Sequence, residues 1–222
     1  MKTIKAIIFD LDNTVLDRRT TFRRFASEFV QTYFSHLDDT QALVDRLIEL
    51  DEDGYKDKRE LFTELFNELP WPHKPSLDEL MKFYEKEYVR NAVLMDGARD
   101  VLRSLQGKYK IGMITNGRTL IQYGKIDQLG IRDDFDTILV SEEAGVKKPD
   151  PRIFAIACER LEVRPEECIF VGDHPVNDIE GAHQTGMSTI WLQVNQPWKE
   201  GLQAKPLAVI REFRELASIF NT

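Results

Sequence analysis

The sequence predicts an α/β fold: a doubly wound, Rossmann-like parallel sheet interrupted after its first strand by an all-helical insertion. Three observations carry that prediction. Short β-rich apolar runs recur at 4–9, 111–115, 136–140, 168–172 and 188–192. Helical periodicities separate the later runs, which is the alternation expected of a parallel sheet. The stretch from about 20 to 91 breaks the rhythm, with helices and no convincing strand.

The first run, IKAIIF (4–9), has too few polar positions for a half-exposed strand and suits a central strand covered on both faces. In the helical stretch, Phe22, Phe25, Ala26, Phe29, Val30, Tyr33, Phe34 and Leu37 follow the i, i+3, i+4, i+7 spacing of one helix face. Leu43, Val44, Leu47 and Ile48 mark a second helix, and Leu61, Phe62, Leu65, Phe66 and Leu69 a third. PWPHKP (70–75) reads as a loop, and Ser76 with Glu79 as a capping box ahead of Leu77, Leu80, Met81, Tyr84 and Tyr88. The aromatic stripes read as core, because a small bundle needs large side chains to bury enough surface. Residues 18–92 are therefore expected to form a helical cap, and 1–17 with 93–222 the α/β core. In that core, Ala98, Val101, Leu102 and Leu105 mark one helix, and Ile121, Ile126 and Leu129, closed by Gly130, another. Ile153, Phe154, Ala157 and Leu161 mark a third, opened by Asp150 as N-cap with Pro151 at its first position.

The chain has 222 residues, with 30 Lys and Arg against 38 Asp and Glu and a net charge of −8, which argues against nucleic acid as a partner. With 42% hydrophobic and 31% charged residues it has the composition of a globular protein, not of a disordered one. The apolar run Ala6 to Phe9 gives out at Asp10 after four residues, too short for a leader or a membrane span. The expected location is cytoplasmic, with no membrane partner. The two cysteines, Cys158 and Cys168, are expected as buried free thiols. Asp51-Glu52-Asp53 lacks the alternating ligand spacing of a calcium loop and reads as a solvated helix end. Arg18, Arg19, Arg23 and Arg24 have two readings, an anion-steering cluster or a solvated helix face.

Ligands of parallel α/β sheets bind outside the carboxyl ends of the strands, so the polar residues that directly follow the apolar runs are the candidates. They are Asp10, Asp12 and Thr14 after the first, Thr115 and Asn116 after the second, Lys148 in the loop after the third, and Asp173 with Asp178 after the fourth. Several carboxylates in one crevice repel unless a cation is present. Hard oxygen donors without His or Cys suit Mg²⁺, which keeps some waters and shares a substrate phosphate. A lysine and a threonine at the same rim suit phosphoryl oxygens, and phosphoryl transfer is catalysed mainly by positioning and charge stabilisation.

FDLDNT (9–14), ITNG (114–117), KKPDP (147–151) and VGDHPVND (171–178), in that order, resemble the motifs of the haloacid dehalogenase-like hydrolase superfamily, and the helical stretch resembles its inserted helical cap. The resemblance implies that Asp10 is the nucleophile that becomes an aspartyl-phosphate, and that Asp12 is the general acid and then the base. It implies Mg²⁺ held by the Asp10 carboxylate, the Asp12 backbone carbonyl and Asp173, with Asp178 bonding metal-bound water or Lys148. Thr115 and Lys148 would bind the transferring phosphoryl group, helped by backbone N–H groups around Asn116 and Gly117. Thr14 has either a place in the catalytic loop, near substrate, or a simple turn-forming role. Asp178 has the rival role of serving a helix dipole, and His174 reads as a loop histidine. Asn13 stands where glycine is frequent in the motif, and Asn tolerates left-handed backbone angles.

The expected activity is hydrolysis of a small soluble phosphomonoester, with nucleoside monophosphates ranked ahead of sugar or short-acid phosphates. The alternatives within the superfamily are a sugar-phosphate mutase and a dehalogenase, the latter disfavoured because dehalogenases do not keep the acid at Asp12. A phospho-acceptor signalling module is disfavoured by Asp173, which follows the lysine, and by the inserted cap. Nothing in the sequence fixes the oligomeric state.

Overall fold

The computed structural model describes residues 3–220. The chain divides into two compact units: one joins the chain up to Asp17 with the chain from Leu94 onward, and the other is Arg18–Val93.

In the first unit, β1 (Ala6–Phe9) is fully buried along its length, as its lack of polar residues requires. The second unit follows, with α1 (Arg18–Phe34), α2 (Gln41–Asp51), α3 (Lys58–Glu68) and α4 (Leu77–Arg90). The first unit then resumes with α5 (Ala98–Leu105), β2 (Lys110–Thr115), α6 (Thr119–Leu129), β3 (Thr137–Val140), α7 (Ser141–Ala144) and α8 (Pro151–Leu161). It ends with β4 (Cys168–Gly172), a wide π-helical turn Pro175–Glu180, α9 (Gly181–Gln184), β5 (Ser188–Leu192), β6 (Ala208–Ile210) and α10 (Glu215–Ile219).

All strand pairs are parallel, in the order β3-β2-β1-β4-β5-β6. β1 is thus flanked by β2 and β4, with Ile8 beside both Gly112 and Phe170. The order reverses between β1 and β4, where loops leaving the two strands part and open a crevice at their carboxyl ends. One face of the sheet is packed through Ile8, Ile114, Phe154, Leu161 and Phe170. Cys158 and Cys168 lie in that layer as buried free thiols, with their sulfurs 3.9 Å apart. Asp150 caps α8 by accepting from the Arg152 N–H, with Pro151 in the first turn.

β6 has no counterpart in the sequence reading. It is a three-residue edge strand whose middle residue, Val209, is 53% exposed, so it lacks the apolar run that marks a covered strand. The chain leaves the sheet unit after Asp17 and returns at Leu94, and the two sides of the gap are joined. Leu16 and Leu94 form an antiparallel bridge, and the Met95 N–H donates to the Val15 carbonyl at 2.8 Å.

In the helical unit, α1 buries Phe22, Phe25, Ala26, Phe29, Val30 and Phe34, the face its spacing predicts, and ends before Leu37. Phe29 is its hub: its ring lies 5.8 Å from Phe62, 6.0 Å from Trp71 and 6.0 Å from Phe83. The capping box at the start of α4 is present, with the Ser76 N–H donating to Glu79 Oε2 at 2.7 Å and the Glu79 N–H to Ser76 Oγ at 3.2 Å.

Two expectations in this unit are corrected. Asp51 is not part of a solvated helix end; it is buried, and its carboxylate meets Arg18 Nη2 at 2.7 Å and Lys58 Nζ at 2.8 Å. Arg18 also reaches Asp53 at 3.4 Å. Its guanidinium is therefore committed to an internal ion cluster and steers nothing. Gly54, at φ +95°, makes room for it, since a Cβ there would fall 2.7 Å from the guanidinium. Among the described residues no helix is long and apolar enough to cross a membrane.

Candidate active site

The site is built at the carboxyl ends of β1, β2 and β4. The Asp10 N–H continues the sheet ladder by donating to the Val171 carbonyl at 2.9 Å, which fixes the first carboxylate at the strand tip. The chain then folds back, with the Thr14 and Leu16 N–H groups donating to the Leu11 carbonyl at 3.2 and 2.8 Å. Asn13 takes the left-handed backbone (φ +61°) that this turn needs and that its residue type tolerates.

Lys148 crosses the crevice. Its Nζ lies 2.6 Å from Asp10 Oδ1 and 2.7 Å from Asp178 Oδ1, and all three residues are buried. Its backbone is clamped by the Asn116 side chain, which donates to the Lys148 carbonyl and accepts from the Lys148 N–H, both at 2.9 Å. After β4, the Asp173 carbonyl accepts from Trp191 Nε1 at 2.8 Å, and Asp178 Oδ2 accepts from the His174 N–H at 2.9 Å. His174 Nδ1 accepts from the N–H groups of Val176 and Asn177 at 3.1 and 3.0 Å, so this histidine caps the π-helical turn that delivers Asp178. Burial pushes its imidazole below the ordinary value, in keeping with a neutral, accepting ring.

Asp10, Asp173 and Asp178 each offer an oxygen within 4.8 Å of the others. One ammonium stands against three buried carboxylates. Burial raises the Asp10 carboxyl to about 7, with Asp178 and Asp12 adding to the rise and Lys148 opposing it. Burial alone would lower the Lys148 ammonium, but Asp10 and Asp178 outweigh it, so the lysine stays charged. A crevice with this excess of negative oxygen suits a cation by charge and by donor type.

The structure brings Asp10, Lys148, Asp173 and Asp178 together and gives several other predicted residues different surroundings. Thr14 is wholly buried, and its Oγ1 has no hydrogen-bond partner, so its hydroxyl is not presented to a ligand. The Asn116 side chain serves the Lys148 backbone, and the Gly117 N–H donates to Ser141 Oγ at 3.0 Å. Neither of those groups is turned to a substrate here. Thr115 is buried, and its Oγ1 accepts from Gln122 Nε2. The Asp12 carboxylate stands outside the carboxylate trio and is bound by two α6 side chains, Lys125 and Gln122.

Sequence reasoning missed Gln122 and Lys125. A signal exists: Gln122, Lys125, Ile126 and Leu129 form an i, i+3, i+4, i+7 stripe on α6, and the structure buries all four. Polar residues at two positions of a buried stripe call for buried partners.

The sequence profile of haloacid dehalogenase-like hydrolases matches residues 4–186. A glyceraldehyde 3-phosphate phosphatase from Pyrococcus furiosus is 30% identical over 236 residues, covering 100% of this chain and 95% of that protein. The pyrimidine 5'-nucleotidase YjjG of Escherichia coli is 38% identical over 103 residues, covering 46% of this chain and 45% of its own. Among solved structures, the HAD-hydrolase YfnB from Bacillus subtilis, bound to magnesium, superposes with a TM-score of 0.80 at 24% identity and full coverage of both chains.

Proposed function

Because the chain belongs to the haloacid dehalogenase-like hydrolases, we propose that it is a Mg²⁺-dependent phosphatase of small organic phosphomonoesters that works through an aspartyl-phosphate on Asp10. The supporting observation is the buried trio Asp10, Asp173 and Asp178 with Lys148 bonded to Asp10. Three carboxylates against one ammonium fit a divalent cation. Asp10, Asp173 and the Asp12 backbone carbonyl would hold it, with Asp178 bonding its water or Lys148, and when bound it supplies positive charge that offsets the phosphoryl oxygens.

An Asp10 carboxylate oxygen attacks phosphorus as the bond from phosphorus to the ester oxygen breaks. Asp12 gives a proton to the departing alkoxide. Water then attacks the aspartyl-phosphate at phosphorus, Asp12 takes a proton from it, and the Asp10 carboxylate is regenerated as inorganic phosphate leaves. Lys148 and Thr115 hold the phosphoryl oxygens through both steps. Asn116 holds the Lys148 backbone in register for this.

The phosphatase match that runs the length of this chain acts on a three-carbon phosphate, whereas the nucleotidase match spans less than half of it. Short sugar phosphates therefore rank ahead of nucleotides, the reverse of the sequence-based order. The test is Mg²⁺-dependent phosphate release from a panel of purified phosphomonoesters, compared by kcat/KM. Multiple turnovers with free phosphate as product, fastest on short sugar phosphates, are expected. A mutase would return the phosphoryl group to sugar, and a phospho-acceptor module would stop at one phosphoryl per chain. Either outcome overturns the reading, and preference for nucleotides overturns the substrate order alone.

A further inference from the structure

The Asp12 carboxylate is held from one side by α6. Lys125 Nζ lies 2.7 Å from each of its oxygens, and Gln122 Nε2 lies 2.9 Å from Oδ2. The same Gln122 amide donates to Thr115 Oγ1 and reaches the Asn116 carbonyl at 3.3 Å. Lys125 and Gln122 are each 2% exposed, while the Asp12 side chain keeps 25% of its surface open. An ammonium withdrawn from water is costly unless a carboxylate meets it with good geometry, and here both carboxylate oxygens do so. Lys125 belongs to a helix reached more than a hundred residues after Asp12.

A carboxylate that must give and take a proton needs its oxygens within hydrogen-bond reach of the reacting atoms, and an aspartate free about both side-chain bonds spends little time there. Lys125 and Gln122 together engage both of its oxygens. Resting on the phosphatase reading above, we propose that Lys125, with Gln122, is the positioning pair that sets the acid–base carboxylate of Asp12 at a fixed spacing from the phosphoryl-binding Thr115. One amide, that of Gln122, joins the two groups. Neither α6 residue touches substrate; Lys125 acts through Asp12, and Gln122 through both Asp12 and Thr115.

A role in stability alone would slow all substrates alike, so the test separates leaving groups. Lys125→Met is expected to lower kcat on an alkyl phosphomonoester by about 10- to 100-fold, a part of what acid–base catalysis supplies, with KM held within about threefold. The pre-steady-state burst of nitrophenolate from 4-nitrophenyl phosphate, whose leaving group needs no proton, should be nearly unchanged. Lys125→Arg should restore part of the loss. In an Asp12→Asn background Lys125→Met should add less than about twofold, because the pair has nothing left to position. Lys125→Gln, which removes the charge but keeps a polar group at the buried position, should show the same split if Lys125→Met fails to fold. Equal losses on both leaving groups, or a full multiplicative loss in the Asp12→Asn background, overturn the proposal while leaving the phosphatase reading intact. Wild-type protein that turns over no phosphomonoester overturns the phosphatase reading. In that case a crystal structure of Lys125→Met still decides the positioning claim: a displaced Asp12 carboxylate supports it and an unmoved one overturns it.

Discussion

Gly172, the last residue of β4, leaves empty the space that Asp178 fills: a Cβ on Gly172 would lie 2.5 Å from both the Cβ and Oδ2 of Asp178. The glycine serves space and not backbone freedom, since it is absent from the glycines with positive φ. Asp178 thereby rests against the strand end, where it accepts the His174 N–H and meets Lys148.

Replacing Gly172 with Ala should force Asp178 off the strand and break its contact with Lys148. Turnover is expected to fall by about tenfold or more, and stability by about 1–3 kcal/mol, the usual cost of overpacking. Phosphate release and the denaturant midpoint read the two effects. Wild-type values for both would mean that Asp178 is free to relocate.

Asp10→Asn should abolish turnover and yet stabilise the metal-free fold at alkaline pH. The Asp10 carboxyl is raised from an ordinary 3.8 to about 7 by burial. Across that window the folded state holds more protons than the unfolded one, so stability is greatest below the unfolded value and declines as pH rises toward 7. An amide carries no such penalty. The variant should melt above wild type in EDTA at pH 8 and lose that advantage near pH 4, and the same difference at both pH values would contradict the burial argument.

In the proposed mechanism protons and Mg²⁺ compete for the Asp10 oxygens, so the acid limb of kcat/KM should move to lower pH as Mg²⁺ rises. EDTA should silence the enzyme and Mg²⁺ restore it. Asp173→Ala should raise the metal requirement steeply in both kinetics and calorimetric Mg²⁺ titration. Full activity in chelator would remove the metal from the mechanism.

Phe29→Ala opens a cavity at the hub of the helical unit, among Phe62, Trp71 and Phe83. A cost of about 3–5 kcal/mol is expected. Hydrogen exchange should quicken in α1 to α4 and leave the amides of β1, β2 and β4 protected. Uniform quickening across both units would show that the chain unfolds as one block.

What the sequence makes legible follows the range of the interaction. β1 is readable because Ala6 to Phe9 contains no polar residue, and the acids of the crevice are readable because they directly follow apolar runs. β6 escapes notice because Val209 faces solvent in a strand too short to show a pattern. The partners of Asp12 escape it because they lie 110 and 113 positions away and meet it only in the folded chain. Asp51 looks solvated in a run of three acids, and its burial depends on Arg18 arriving from another helix. His174 shows its capping role only once the turn it closes has been built.

The bridge between Leu16 and Leu94, with the Met95 N–H on the Val15 carbonyl, makes a seam at which the sheet unit is already closed. Closing the intervening loop costs entropy that rises only slowly with its length, by about 0.6 kcal/mol per doubling, and the core's own bonds oppose it. Lengthening or shortening an insert whose two termini meet there would therefore change the stability of the sheet unit only modestly. The seam lets the sheet unit hold its own exit and re-entry points together.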